Sequence, residues 1–142
     1  MIQILSGIQN TSAALSAEQT RLDVISENIA NANTTHGVDG KPYQRQIVVF
    51  ETALQQAVAG NGSVSMPAVQ VARIESDQSP PEHIYDPGNP DADARGMVAM
   101  PNINIQEEMA DLISASRTYE ANLAVVKNAR SMAMQTLAIG KH

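Results

Sequence analysis

Apolar residues recur in heptads at both ends of this chain, and that regularity constrains the fold more than any other feature. From Ile105 to Leu137 the pattern reads Ile105, Met109, Leu112, Ser116, Tyr119, Leu123, Val126, Arg130, Ala133, Leu137. The steps alternate between four and three, the a and d positions of a coiled coil. Near the other end Ile8, Leu15, Leu22 and Ile29 stand seven apart, with Leu5, Ile25 and Ala32 beside them. A strict seven-residue apolar repeat calls for a partner helix and a left-handed supercoil. Chain ends are ordered only when something ties them down. The pattern therefore describes a chain whose ends are its assembly surface.

Nothing in the bulk composition supplies a competing core. The chain has 142 residues, about one domain, and an apolar fraction of 43%, close to ordinary globular usage. It has one phenylalanine, Phe50, no tryptophan, and three tyrosines, Tyr43, Tyr85 and Tyr119. Large rings dominate core burial, so a core made from Val, Ile, Leu, Met and Ala will be small. The absence of cysteine removes disulfides and thiolate metal sites as staples. Oligomerisation is the staple that remains for a scaffold of this kind.

The N-terminal helix is expected over about Ile4–Asn31. It ends in a crowd of Asn28, Asn31, Asn33, Thr34 and Thr35, whose side chains compete with helix for local backbone groups. Gly37, Gly40 and Pro42 then mark a loop. Gln44–Thr52 is β-branched and aromatic, a strand signature. Thr52–Ala59 favours a helical turn ahead of the Gly60-Asn61-Gly62 turn. Val64–Glu75 alternates imperfectly, and Pro67 points to an edge or a bulge there. Short strands are expected around His83–Tyr85 and Met97–Met100, separated by the turn-rich Asp86–Gly96. Asn104 and Glu107 form a capping box for the second helix, with Glu107, Glu108 and Asp111 complementing its dipole. Gly140, followed by Lys141, is suited to its C-terminal end.

The expected fold is mainly α with a small β part. Long N- and C-terminal helices form an antiparallel coiled-coil pair, and a β-rich segment lies between them. Residues 1–33 together with 102–142 make the terminal-helix domain; residues 34–101 make the central loop and β-rich segment.

Chemistry is sparse. The formal net charge of −6 and the lack of any basic run exclude sequence-independent nucleic-acid binding. His36, His83 and His142 are scattered, with no paired ligand spacing. Asp86, Asp91 and Asp93 do not follow calcium-loop spacing, because position twelve from Asp86 is Met97. No nucleophile elbow or phosphate cradle occurs. The reading is of a non-enzyme with no catalytic residue, metal or cofactor. The N-terminus lacks a cleavable signal pattern, and no run approaches the ~18 apolar residues of a spanning helix, so no direct membrane insertion is expected.

The C-terminal stripe carries Ser116 and Arg130 at seam positions, where a closed two-helix seam satisfies a guanidinium poorly. Ala115, Ala121, Ala124 and Ala129 supply a second, small-residue face. A helix with two interaction faces suits a multi-subunit bundle. Arg130 is the candidate for an intersubunit ion pair, with no partner assigned.

Ser26-Glu27-Asn28-Ile29-Ala30-Asn31-Ala32-Asn33-Thr34 resembles the N-terminal signature of bacterial flagellar rod and hook axial proteins. Within it Asn28, Asn31, Asn33 and Thr34 carry the likeness. Tyr119-Glu120-Ala121-Asn122-Leu123 through Ala138-Ile139-Gly140 is similar to the matching end of that family. Most members continue with N-T-x-G-[FY]-K-R, from which Thr34-Thr35-His36-Gly37-Val38-Asp39-Gly40-Lys41-Pro42-Tyr43-Gln44-Arg45 departs. That longer insertion, with Tyr85–Asp93 (YDPGNPDAD) and Gly96–Asn104 (GMVAMPNIN), resembles the proximal rod proteins of FlgC type.

The resemblance implies a structural subunit of the proximal rod in the periplasm, exported by the flagellar type III apparatus without signal cleavage. It implies an inner layer of paired terminal helices with the middle segment outside. Leu5, Ile8, Leu15, Leu22, Ile25 and Ile29 would pack on Met109, Leu112, Tyr119, Leu123, Val126 and Leu137, with neighbours covering the other faces. Implied partners are further copies, other rod subunits, and export-gate or MS-ring adaptor proteins at the rod base. The competing readings are a soluble coiled-coil adaptor and another axial rod or hook subunit. Asp86–Gly96 reads equally as a contact or as a plain connector.

Overall fold

The computed structural model describes residues 2–37, 39–59 and 62–139, with the side chains of residues 2–6, 53–59, 62–68 and 139 outside that description. Gly60-Asn61, Gly140, Lys141, His142 and the side chain of Leu5 thus lie outside the described residues. The order of elements is α1 (Ile2–Ala30), β1 (Gln46–Ala59), β2 (Gly62–Ser76), β3 (Glu82–Tyr85), β4 (Met97–Met100) and α2 (Ile105–Ile139). Two long helices flank a central β region, and the chain is mainly α.

At ~1.5 Å per residue the 29-residue α1 and 35-residue α2 are roughly 44 and 52 Å long. α1 stops where its side chains begin to serve the backbone. Asn31 donates from Nδ2 to Glu27 O (2.9 Å), and its own carbonyl accepts from Thr34 N (3.0 Å). α2 starts on a cap. Asn104 Oδ1 accepts from Gln106 N at 3.1 Å. Glu107 does not reach back to the Asn104 backbone as a capping box requires; it accepts from Asn104 Nδ2 at 3.1 Å.

β1 and β2 form one long antiparallel hairpin, Gln46 opposite Ser76 and Ala59 opposite Gly62. The helical turn expected over Thr52–Ala59 is absent, because that segment is the distal half of β1. Its Ala, Leu and Gln favour helix, but pairing with β2 overrides so weak a preference. The bulge also falls elsewhere than at Pro67. Register slips between Val49, opposite Arg73, and Phe50, opposite Val71, leaving Ala72 as the extra residue. The hairpin packs along α1.

β3 and β4 form a second antiparallel pair, Glu82 opposite Met100 and Tyr85 opposite Met97. Asp86–Gly96 connects them as a self-bonded loop. Asp93 Oδ1 accepts from Arg95 N (2.7 Å) and Met97 N (3.0 Å), and Asp86 N donates to Gly96 O (2.9 Å). Those N–H groups, Met97 first, hold the Asp93 carboxyl below its ordinary pKa. Gly96 has φ 76°, and a Cβ there would lie 2.9 Å from Tyr85 Cε2. Glycine is required.

The described core is thin. Buried apolar residues are Ala17, Val24, Ile25, Ala32, Val98 and Ala115, and the polar Asn28 and Glu108 are buried with them. α1 packs against α2. On α2, burial or half-burial recurs at Glu108, Leu112, Ala115, Tyr119, Asn122, Val126, Ala129 and Ala133, again in steps of four and three. This stripe shares Leu112, Tyr119, Val126 and Ala133 with the sequence stripe. At alternate positions it is one residue earlier, with Glu108 for Met109, Ala115 for Ser116, Asn122 for Leu123, and Ala129 for Arg130. Ser116 and Leu123 are half-buried at its edge. Met109 (53% exposed) and Leu137 (59%) are therefore not covered by α1 within the chain, contrary to the expected packing. Ile105 and Arg130 are exposed as well. Small side chains allow backbones to approach closely, and Ala17 and Ala115 are among the most buried residues. On α2 the bulky Ile105, Met109, Ile113, Val125, Met132, Met134 and Leu137 are left exposed.

Candidate functional site

The end of α1, the root of the hairpin and the start of α2 meet at Asn28, Tyr43, Arg45 and Glu108. Glu108 is 1% exposed, a buried carboxylate that must be paired to be tolerated. Arg45 approaches a single oxygen, with Nε 2.7 Å and Nη2 2.6 Å from Glu108 Oε1. The second oxygen, Oε2, accepts from Asn28 Nδ2 at 3.2 Å. The far side of the Arg45 guanidinium, Nη1, lies 4.0 Å from Asp77, and Asp77 N donates to Arg45 O at 2.7 Å.

Asn28 is the hub. Its Nδ2 also donates to Gln46 O (2.9 Å), while Oδ1 accepts from Gln46 N (2.9 Å) and Tyr43 OH (3.1 Å). An amide side chain carries a donor and an acceptor side by side, as a backbone peptide does, so Asn28 copies a strand neighbour of Gln46. Asn28 thus starts β1 from the end of α1. Burial, followed by the charges of Glu27 and Glu108, raises the Tyr43 pKa and keeps its hydroxyl protonated as a donor.

The rest of the asparagine-rich segment shapes the exit from α1. Thr34 Oγ1 donates to Asn31 Oδ1 (3.2 Å), and Thr34 O accepts from Tyr43 N (3.1 Å). Asn33 is exposed in the turn. One step further, Thr35 Oγ1 donates to Asp91 Oδ2 (2.6 Å), and His36 Nδ1 lies 3.8 Å from Asp91 Oδ1. The Asp86–Gly96 loop is therefore a contact within the chain, clasping the segment that leaves α1. His36 and His83 are exposed, and among the described residues no group of three His, Cys, Asp or Glu could hold a metal ion.

Of the residues singled out in the sequence, Asn28 lies at the centre of this network, and Ile25 is buried one turn before it. Ile8, Leu15, Leu22 and Ile29 are half-buried on α1. Arg45, Tyr43 and Glu108 were not singled out as site residues. Glu108 carried only a helix-dipole reading, and no spacing rule links it to Arg45, 63 positions away.

Both halves of the network fall in recognisable segments. Residues 8–37 match the family described as "Flagella basal body rod protein", and residues 94–139 match "Flagellar basal body rod FlgEFG protein C-terminal". A curated relative from Yersinia enterocolitica, named "Flagellar basal-body rod protein FlgC", is 43% identical over 91% of this chain and 92% of its own length. Relatives of the same name from Borreliella burgdorferi and Bacillus subtilis are 42% and 38% identical, covering 96% and 92% of this chain and 97% and 94% of themselves. The chain belongs to the FlgC family of flagellar basal-body rod proteins. In this FlgC-family chain the two matched segments are tied directly together by the Asn28–Glu108 hydrogen bond. Tyr43, Arg45 and Asp77 belong to the stretch between them. Among the described residues no helix is long and apolar enough to cross a membrane.

Proposed function

We propose that this chain is a structural, axial subunit of the flagellar proximal rod, polymerising through its terminal helices into a drive-shaft that transmits motor torque. The observation that carries this reading is that both ends match rod families and are joined by one buried network. Residues 1–33 with 102–142 form the inner layer, and residues 34–101 lie outside it. The four- and three-residue steps of burial on α2 support an antiparallel coiled-coil pairing with α1.

That pairing leaves work for neighbours. Ile105, Met109, Leu137 and Arg130, exposed in the single chain, become covered in the assembly, as does the far side of the seam at Ser116 and Leu123. The subunit acts in the periplasm after type III export without signal cleavage. It meets further copies, other rod subunits, and export-gate or MS-ring adaptors at the rod base. Torque passes because many such seams are buried together, so shear on one interface is shared by all.

Leu22→Asp and Leu123→Asp each place a charge in this packing. Both variants are expected to abolish rod assembly and swimming while the protein is still made. Normal swimming in both overturns the reading.

A further inference from the structure

The chain carries a half-open apolar groove and, on another face of α2, an exposed apolar ridge. The groove, about 340 Å³, opens between α1, β1 and the start of α2. It is lined by the apolar Val24, Ile25, Ile47, Val48 and Phe50 together with the Asn28–Arg45–Glu108 network. In that network the Asn28 amide and the Glu108 carboxylate are already hydrogen-bonded, so an apolar group over these two leaves neither without a partner. Ile47 and Phe50 are each 38% exposed, a half-open apolar wall awaiting cover. Arg21 and Asp111, one charge of each sign, also line the groove, and Arg21 Nη1 lies 3.9 Å from Glu18 Oε2 on its own helix.

The ridge is Ile105, Met109 and Ile113, spaced four apart along α2 and 40%, 53% and 56% exposed. At 3.6 residues per turn it lies roughly 130° around α2 from Glu108 and Asp111, which line the groove. Arg117 and Glu120, both exposed, continue the ridge with one charge of each sign. The groove lining thus offers Asp111 to an incoming Arg117 and Arg21 to an incoming Glu120.

We infer that the Ile105–Met109–Ile113 ridge of one copy seats in the Val24–Phe50 groove of a second copy of this chain. This rests on the rod-subunit reading and names the faces that reading leaves open. Two different surfaces of one molecule meeting head to tail make a heterologous contact, which propagates rather than closing into a dimer. This charge pairing fixes the direction of the ridge in the groove.

The chain has no cysteine, so introduced thiols are its only ones. Ile113→Cys and Phe50→Cys are made separately and co-expressed in cells lacking the native chain. Basal bodies are then isolated and oxidised. A covalent dimer of the chain is expected from the mixture, at least ten-fold above either variant alone, because the link can form only between copies. Equal dimer from Ile113→Cys alone means ridge meets ridge, and overturns the inference. A covalent link from Ile113→Cys to a different rod protein, or no link at all, overturns it as well. Absence of the chain from the basal-body fraction of a strain carrying the unsubstituted chain instead refutes the rod-subunit reading.

Discussion

Arg45 and Glu108 form one ion pair with unequal partners, and removing each should cost a different amount. Glu108 is 2% exposed at the side chain, whereas Arg45 is 29% exposed and has Asp77 nearby. Arg45→Met leaves a carboxylate buried with only Asn28 Nδ2 as donor. Breaking a buried pair so as to strand a charge costs about 3–5 kcal/mol. Glu108→Ala strands a guanidinium that can turn toward water and Asp77. Its loss is nearer that of hydrogen bonds to a charged group, about 2 kcal/mol. The double variant Arg45→Met/Glu108→Leu removes both charges and fills the space with apolar side chains. It should be more stable than Arg45→Met alone, because no ion is left unpaired. Urea unfolding followed by far-UV circular dichroism measures all three, provided the slope with denaturant is unchanged. A Glu108→Ala loss equal to or larger than that of Arg45→Met refutes the reasoning. So does a double variant that is the least stable of the set.

Asn28→Asp replaces the donor 3.2 Å from Glu108 by a second carboxylate oxygen, and it should destabilise by roughly 3 kcal/mol at neutral pH, which urea unfolding of the variant beside the unsubstituted chain measures. Gly96→Ala forces a side chain into the left-handed region and against Tyr85, and should cost about 2 kcal/mol or more, while Gly40→Ala, with only His36 at 3.7 Å, should cost about 1 kcal/mol. The Asp93 carboxyl is held below its ordinary pKa when folded, so its contribution is present above the unfolded value of about 3.9 and is lost as pH falls through the folded one. An Asp93→Asn variant should show a flatter loss of stability in that acid window.

The long helices were legible because a heptad repeat is a local, redundant signal that survives single departures. The exact seam was less so. Large apolar residues mark a stripe in the sequence, but close approach of α1 selects Ala115 and Ala129, one position from Ser116 and Arg130. The hairpin was half legible. Gln46–Thr52 has β-branched composition, whereas Thr52–Ala59 is made strand only by its partner some ten residues later. The Asn28–Tyr43–Arg45–Glu108 site was legible only at Asn28. Its other members are drawn together across 15 to 80 positions, and Glu108 has an adequate local explanation as a first-turn acid. A buried charge is a property of packing, which periodicity does not report.

In the rod-subunit reading the ends of this chain are held by other subunits, not by its own core. Hydrogen exchange at the α2 amides of residues 125–139 tests it, comparing the purified chain with the chain in isolated basal bodies. Rapid exchange is expected in the free chain and strong protection in the basal body. Equal protection in both states, high or low, contradicts it.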